Sequence, residues 1–322
     1  MQTMPLHVPT EAVESVRCYL CGADDASELV FGEDDLGGKA GRFRFVRCRD
    51  CGLAYQNPRI PASEIGVWYD DEYIAHRKKN DFGPILTPLH ERAMDRHDRE
   101  KEKIVQKFVD LRPGAAVLDV GCAVGTFLHR LKDRHGCEVV GVDFKDLSAH
   151  PSLRGVEFHW GTFTDAKVGS DRFDLVTMWH FLEHDYDPLG TLRKARDAMK
   201  PSGRLVIEVP RLDSVSYALY RERWPGLQAP QHTILFDKKT LHQTVERAGL
   251  TVVDYLPYGA FPSYFYMFTG ALFKWRKGRG LNPIMLKAMV PYYVGLYALA
   301  PVLAFEKRLN LAMQTIVCKK SA

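Results

Sequence analysis

The chain has 322 residues, 46% hydrophobic and 26% charged, which is enough apolar material for one large core and excludes a chain disordered throughout. Its formal net charge of only +4 falls short of the dense basic composition expected of a protein built to hold a phosphate backbone, so nucleic acid is not an expected partner. The opening residues MQTMPLHVPTEAVESV lack a basic segment followed by an apolar run, so no secretory leader is expected and a cytoplasmic location is.

Seven cysteines cannot all pair, and four of them stand as two CxxC turns, Cys18/Cys21 and Cys48/Cys51. Each turn can point two thiolates at one tetrahedral ion, and Gly22 and Gly52 after the second cysteines give the freedom a tight turn needs. With FRFVRC alternating as a strand between them, residues 1–58 are expected to form a zinc-ribbon-like module around structural Zn2+. Cys122, Cys137 and Cys318 are isolated and read as small core residues.

Residues 59–110 are expected to be a linker with lid helices. Trp68, Tyr69 and Tyr73 lie among charges in its first half, and a helix is expected from about Pro88. Next, AAVLDVGCAVGTFLHRL reads as a strand, a glycine turn at Gly121 and Gly125, and a helix with Phe127, Leu128 and Leu131 on one side. Without a lysine followed by serine or threonine, the turn does not suit a triphosphate. A second strand, CEVVGVD, ends at Asp143, where a carboxylate can accept from both hydroxyls of an adenosine ribose; taken alone, this would equally suit a nicotinamide dinucleotide.

The strands VEFHW, RFDLVTMW and LVIEVP follow, with a helix in TLRKARDAM, so the fold class is α/β with an open parallel sheet. These segments resemble the class I S-adenosylmethionine-dependent methyltransferases: VLDVGCAVGTFL their first motif, VVGVD their second, FDLVTMWHFLEH the fourth-strand motif and MKPSGRLVIEVP the fifth-strand region. The resemblance implies a Rossmann-like sheet over residues 111–254 plus 306–322, with LTVVDYLPYG as sixth strand and LAMQTIVCKK as an antiparallel seventh. It implies S-adenosylmethionine as cofactor, with Asp119, Gly121, Cys122 and Gly125 at the methionine part. Asp143 and Phe144 fall at the ribose, Thr162 and Phe163 border the adenine, and Trp179 lies beside the sulfonium.

Methyl transfer is an in-line displacement that gains much of its rate from alignment, and a base is needed only when the acceptor must lose a proton. His180, just after the fourth strand, is the expected base; Glu183 and His184 are read as ties to the next helix, and His232 as an orienting residue. The cysteine module and the YDDEY text are also partly similar to sugar C-methyltransferases, in which a tyrosine near the zinc module and a group beside the fifth strand assist enolisation; Tyr73 and Glu208 are the nearest positions.

Residues 255–305 form an apolar, aromatic insertion before the last strand. From Tyr255 until Glu306 there is no acidic residue, while Lys274, Arg276, Lys277, Arg279 and Lys287 interrupt the apolar segments. Because the chain must return to the sheet, a single membrane crossing through Ala288 to Phe305 is disfavoured. A buried cap, a homodimer contact and a surface resting peripherally on the inner membrane face remain as readings. The expected function is O- or C-methylation of a small hydrophobic or lipid-like acceptor. The alternatives are C-methylation of a nucleotide-linked deoxysugar and a non-catalytic zinc-containing RNA or protein binding module.

Overall fold

The computed structural model describes residues 13–69, 83–277, 279–281, 284–299 and 309–321. Three short strands come first, β1 (Ala26–Gly32), β2 (Phe43–Cys48) and β3 (Ala54–Gln56), followed by the long helix α1 (Gly83–Val105), which starts about a turn before the expected Pro88. Then β4 (Ala116–Val120), α2 (Thr126–His135), β5 (Glu138–Asp143), β6 (Glu157–Trp160) and β7 (Phe173–Trp179) follow, with α2 joining β4 to β5 and loops joining the next strands. Next are α3 (Pro188–Ala198), β8 (Met199–Pro210), α4 (Val215–Tyr220), β9 (Ile234–Leu235) and α5 (Lys238–Arg247). The chain ends with β10 (Leu250–Leu256), α6 (Ser263–Arg276), α7 (Met285–Ala298) and β11 (Met313–Lys320).

The main sheet has seven strands in the order β10-β11-β8-β7-β4-β5-β6. β4 pairs in parallel with β5 and β7, and β7 with β8, whereas β11 lies antiparallel between β8 and β10. Side chains alternate across the sheet: Leu118 and Val176 join the core under α3 and α5, while Val117 and Leu175 face Phe127, Leu128 and Leu131 of α2. Period-two burial on both faces gives the two helical layers their footing.

The N-terminal module is stitched to this domain more firmly than a free ribbon would be. Its antiparallel strands are completed by β9, which pairs with β3 at Ala54↔Leu235 and Tyr55↔Ile234, and Leu20, Val46, Leu53 and Tyr55 share one buried cluster with Leu192 and Leu241. Its other face packs Phe43, Phe45 and Trp68 with Trp224 and with Tyr266 of α6.

Of the insertion expected over residues 255–305, the described residues form two 14-residue helices, and no helix among the described residues is long and apolar enough to cross a membrane. α6 buries Tyr266, Thr269 and Phe273 and is tied down where Tyr220 Oη donates to the Met267 carbonyl at 2.7 Å. α7 buries Met289 and Tyr293 one turn apart and leaves Val290, Val294 and Tyr297 exposed.

Candidate functional site

Around the four cysteines the two CxxC turns have the same build. Gly22 N–H donates to Cys18 O at 2.8 Å and Gly52 N–H to Cys48 O at 3.0 Å, with the glycines at φ +76° and +86°, a region open to glycine at little cost. The sulfurs converge in crossed pairs, Cys18 to Cys51 at 3.4 Å and Cys21 to Cys48 at 3.5 Å, and all four lie within 4.8 Å of one another. Tetrahedral thiolates on zinc stand about 3.8 Å apart, so the cluster is positioned to hold a metal. Burial pushes the Cys51 thiol up to about 11, so metal uptake there would have to displace protons.

The turn between β4 and α2 forms a second centre. Gly121 and Cys122 both donate to Val142 O, at 2.8 and 3.1 Å, which pins the turn to β5, while Gly125 enters α2 at φ +74°. A Cβ on Gly121 would stand 2.7 Å from Phe181, and one on Gly125 2.3 Å from Leu153. Asp143, at the end of β5, accepts from Ala123 N–H at 2.9 Å and Lys145 N–H at 3.0 Å. Burial raises its carboxyl. Asp119 is more enclosed: Thr177 Oγ1 donates to it at 2.6 Å, and burial pushes it up to about 7 although Lys101 pulls the other way. Lys101 sits over the rings of Phe127 and Trp179, 5.5 Å from each centroid, so α1 supplies a cation at the site that the sequence reading missed. The Trp179 indole N–H is buried with no hydrogen-bond partner among the described residues.

Phe144 is exposed and meets Tyr69 edge-on at 5.0 Å. Thr162 is held in a local turn by Asp165 at 2.6 Å, whereas Phe163 is buried in the main core under Lys194. Tyr73 lies outside the described residues.

Beyond β7 the polar groups crowd together. His180 has φ +54°, a left-handed conformation that costs a non-glycine residue about 1–2 kcal/mol. Its ring bridges two buried carboxylates, Nε2 to Glu208 Oε1 at 3.1 Å and Nδ1 to Glu183 Oε1 at 3.3 Å. Burial pushes the ring down, but its partners Glu183 and Glu208 outweigh this and raise it to about 9. Both ring nitrogens of the expected base therefore face carboxylates. Glu208 is fully buried and also committed, accepting from Ala260 N–H at 2.6 Å, Phe261 N–H at 3.0 Å and Thr315 Oγ1 at 3.4 Å. It anchors the segment leading into α6.

Glu183 is 1% exposed; against the upward push of burial, His180 holds it below the usual carboxylate range. His184 contacts Tyr69 Oη at 2.9 Å and Gln231 O at 3.0 Å through Nδ1. His232 faces the His184 ring at 4.4 Å, and burial, then His184, lowers it to about 3. The turn after β7 and the loop before β9 are joined by Thr233, whose N–H donates to Glu183 O at 2.8 Å and whose hydroxyl donates to Asp185 O at 2.8 Å. That tie brings Glu183, His184 and His232 together, a convergence that local spacing could not announce.

Comparison with known proteins places this geometry in context. A family model described as a methyltransferase domain matches residues 91–255. The ubiquinone biosynthesis O-methyltransferase of Cereibacter sphaeroides is 28% identical over 186 residues, 52% of this chain and 75% of that protein. The tRNA U34 carboxymethyltransferase of Desulfotalea psychrophila is 25% identical over 168 residues, covering 49% and 52%. Among solved structures, the Burkholderia thailandensis 1,6-didemethyltoxoflavin-N1-methyltransferase matches with TM-score 0.48 and 16% identity, over 85% of this chain and 98% of that one.

Proposed function

Because the chain belongs to the methyltransferase-domain family, we propose that it transfers a methyl group from S-adenosylmethionine to an oxygen or carbon of a small hydrophobic or lipid-like acceptor. The observation that carries the acceptor class is an aromatic wall starting at the polar cluster. Phe261 meets His180 at 5.2 Å, Phe265 meets Phe261 at 5.1 Å, and Tyr292 of α7 continues it to Tyr264 and Phe268. Such a wall offers apolar area and little charge, which suits a ring or an acyl chain. The O-methyltransferase relatives, whose names place them in ubiquinone biosynthesis, agree with this class.

The residues around the glycine turn fit the cofactor. Gly121, Cys122 and Gly125 would line the methionine part, Asp143 and Phe144 the ribose side, with Thr162 and Phe163 toward the adenine. Trp179, with its buried N–H, and the buried acid Asp119 would flank the charged end. When bound, S-adenosylmethionine supplies an electrophilic methyl group on a sulfonium. The protein's task is to align the acceptor with it and exclude water. His180 acts as a positioning residue that locks Glu183 to Glu208 and so to the wall at Phe261, and His232 orients the loop opposite. The four cysteines hold structural zinc.

Titration calorimetry with S-adenosylmethionine and its demethylated product tests the cofactor reading; no binding of either would end it. The pH dependence tests Asp119. An acid raised to about 7 by burial is partly protonated at neutral pH, and a cationic ligand selects its carboxylate. Affinity should therefore fall by about tenfold from pH 8 to pH 6, and Asp119→Asn should bind more weakly with a flat profile. A slope that persists in that variant would assign the titration elsewhere.

For His180, the expected split is a kcat lowered about 10- to 100-fold in His180→Ala, with S-adenosylmethionine affinity nearly unchanged. His180→Gln keeps a donor toward Glu208 and should recover part of the loss. Turnover of a phenolic acceptor that is identical in wild type and His180→Ala would remove the residue from the mechanism.

A further inference from the structure

Glu183 is a buried carboxylate whose two oxygens have no hydrogen-bond partner among the described residues. His180 Nδ1 reaches ion-pair distance of Oε1 at 3.3 Å, without the angle of a hydrogen bond, and Oε2 has no such contact. An unsatisfied buried carboxylate costs several kcal/mol unless something further meets it. Two imidazoles stand beside it: one donor atom each from Glu183, His184 and His232 lies within 4.8 Å of the others. Each ring is held through Nδ1 by a backbone carbonyl, His232 by Gly226 O at 2.8 Å and His184 by Gln231 O at 3.0 Å. A ring that donates Nδ1–H to a carbonyl presents the Nε2 lone pair, which is the arrangement that fixes tautomer and aim in metal-ligating histidines.

We propose that Glu183, His184 and His232 form a second metal site, distinct from the cysteine cluster, for a divalent first-row transition ion such as Zn2+. One carboxylate and two neutral imidazoles are a borderline N/O donor set that suits such an ion and disfavours Ca2+ or Mg2+, which prefer all-oxygen shells. Bond lengths of about 2.1 Å require donors nearer than 4.8 Å, so the rings close slightly on the ion. The cysteine cluster differs in both donors and place, since its ligands are thiolates at the CxxC turns. Three protein ligands would leave a coordination position for a water or a substrate oxygen. If the methyl-transfer reading holds, an acceptor hydroxyl on the ion there would lose its proton more readily.

The test is the metal content of the full chain dialysed against Zn2+, which needs neither acceptor nor turnover and so stands apart from the methyl-transfer reading. Wild type should hold about two equivalents and Glu183→Gln about one, the cysteine cluster serving as internal reference. About one equivalent in wild type, or two in Glu183→Gln, would overturn the proposal. Should Glu183→Gln lose its fold by circular dichroism, the Co2+-loaded wild type decides. Ligand-field bands of a nitrogen–oxygen site beside the thiolate charge-transfer bands support the second site, and a thiolate spectrum alone refutes it.

Discussion

A Gly125→Val chain should lose S-adenosylmethionine affinity by at least about 100-fold while the rest of the domain stays folded. Gly125 enters α2 at φ +74°, where an L-residue costs about 1–2 kcal/mol and a β-branched one more. The added Cβ would also stand 2.3 Å from Leu153 Cδ2, and overpacking of that kind adds about 1–3 kcal/mol. Together these approach about 3–5 kcal/mol, which the turn can avoid only by abandoning its shape. The hydrogen bond from Gly125 N–H to Cys122 O at 2.9 Å would go with it, and Ala123 would leave Asp143. Since about 1.4 kcal/mol is tenfold in binding, at least two orders of magnitude follow. Gly125→Ala meets the same φ with a smaller side chain against a movable leucine tip, so it should lose about tenfold. Calorimetric titration of both variants, with a thermal melt for folding, checks the ranking. Unchanged affinity in Gly125→Val would mean that the turn does not form the cofactor site.

What could be read from the chain and what could not divide along a physical line. β4 to α2 was legible because burial on both sheet faces imposes an apolar run, the turn demands glycine, and Phe127, Leu128 and Leu131 repeat at helical spacing. The cysteine turns were legible because ligand geometry constrains neighbours in sequence. By contrast, β9 is two residues long and has no period to detect, so its pairing with β3 was invisible. For His180 and Glu208, residue type and place at the strand end could not show which groups they engage. What decides their chemistry is the saturation of Glu208 by Ala260, Phe261 and Thr315, residues remote in the chain. Convergence of Glu183 with His232 likewise depends on Thr233 bridging two loops. In the insertion the apolar run overstated continuity, because Tyr266 is spent on the Trp224 core, Phe273 is buried on the same helix, and α7 buries only Met289 and Tyr293 while Val290, Val294 and Tyr297 stay exposed.

Replacing Cys48 by serine, or stripping the cysteine cluster with a chelator, should lower the melting temperature by about 10 °C and suppress turnover more than cofactor binding. The first effect follows from the proposed binding of an ion by the module: three short strands close little apolar area alone, and metal binding is folding free energy for such a unit. A loss of about 3–5 kcal/mol corresponds to roughly 10 °C in a domain of this size. The second follows from where the module is attached. Gln56 N–H donates to Thr233 O at 2.8 Å, β3 pairs with β9, and Arg47 faces Asp237 at 3.3 Å. These contacts reach the loop that carries His232 and the N-terminus of α5, whereas the turn at Gly121 to Gly125 is held by Val142 and Asp143 of β5. Loosening β9 therefore displaces His232 from Glu183 before it disturbs the cofactor turn. Differential scanning calorimetry, with a colorimetric measurement of released zinc, reads the stability loss; titration with S-adenosylmethionine and single-turnover rates separate the two sites. A zinc-free chain that melts at the wild-type temperature would show that the cysteines stabilise nothing, and an equal loss at both sites would deny the route through β9.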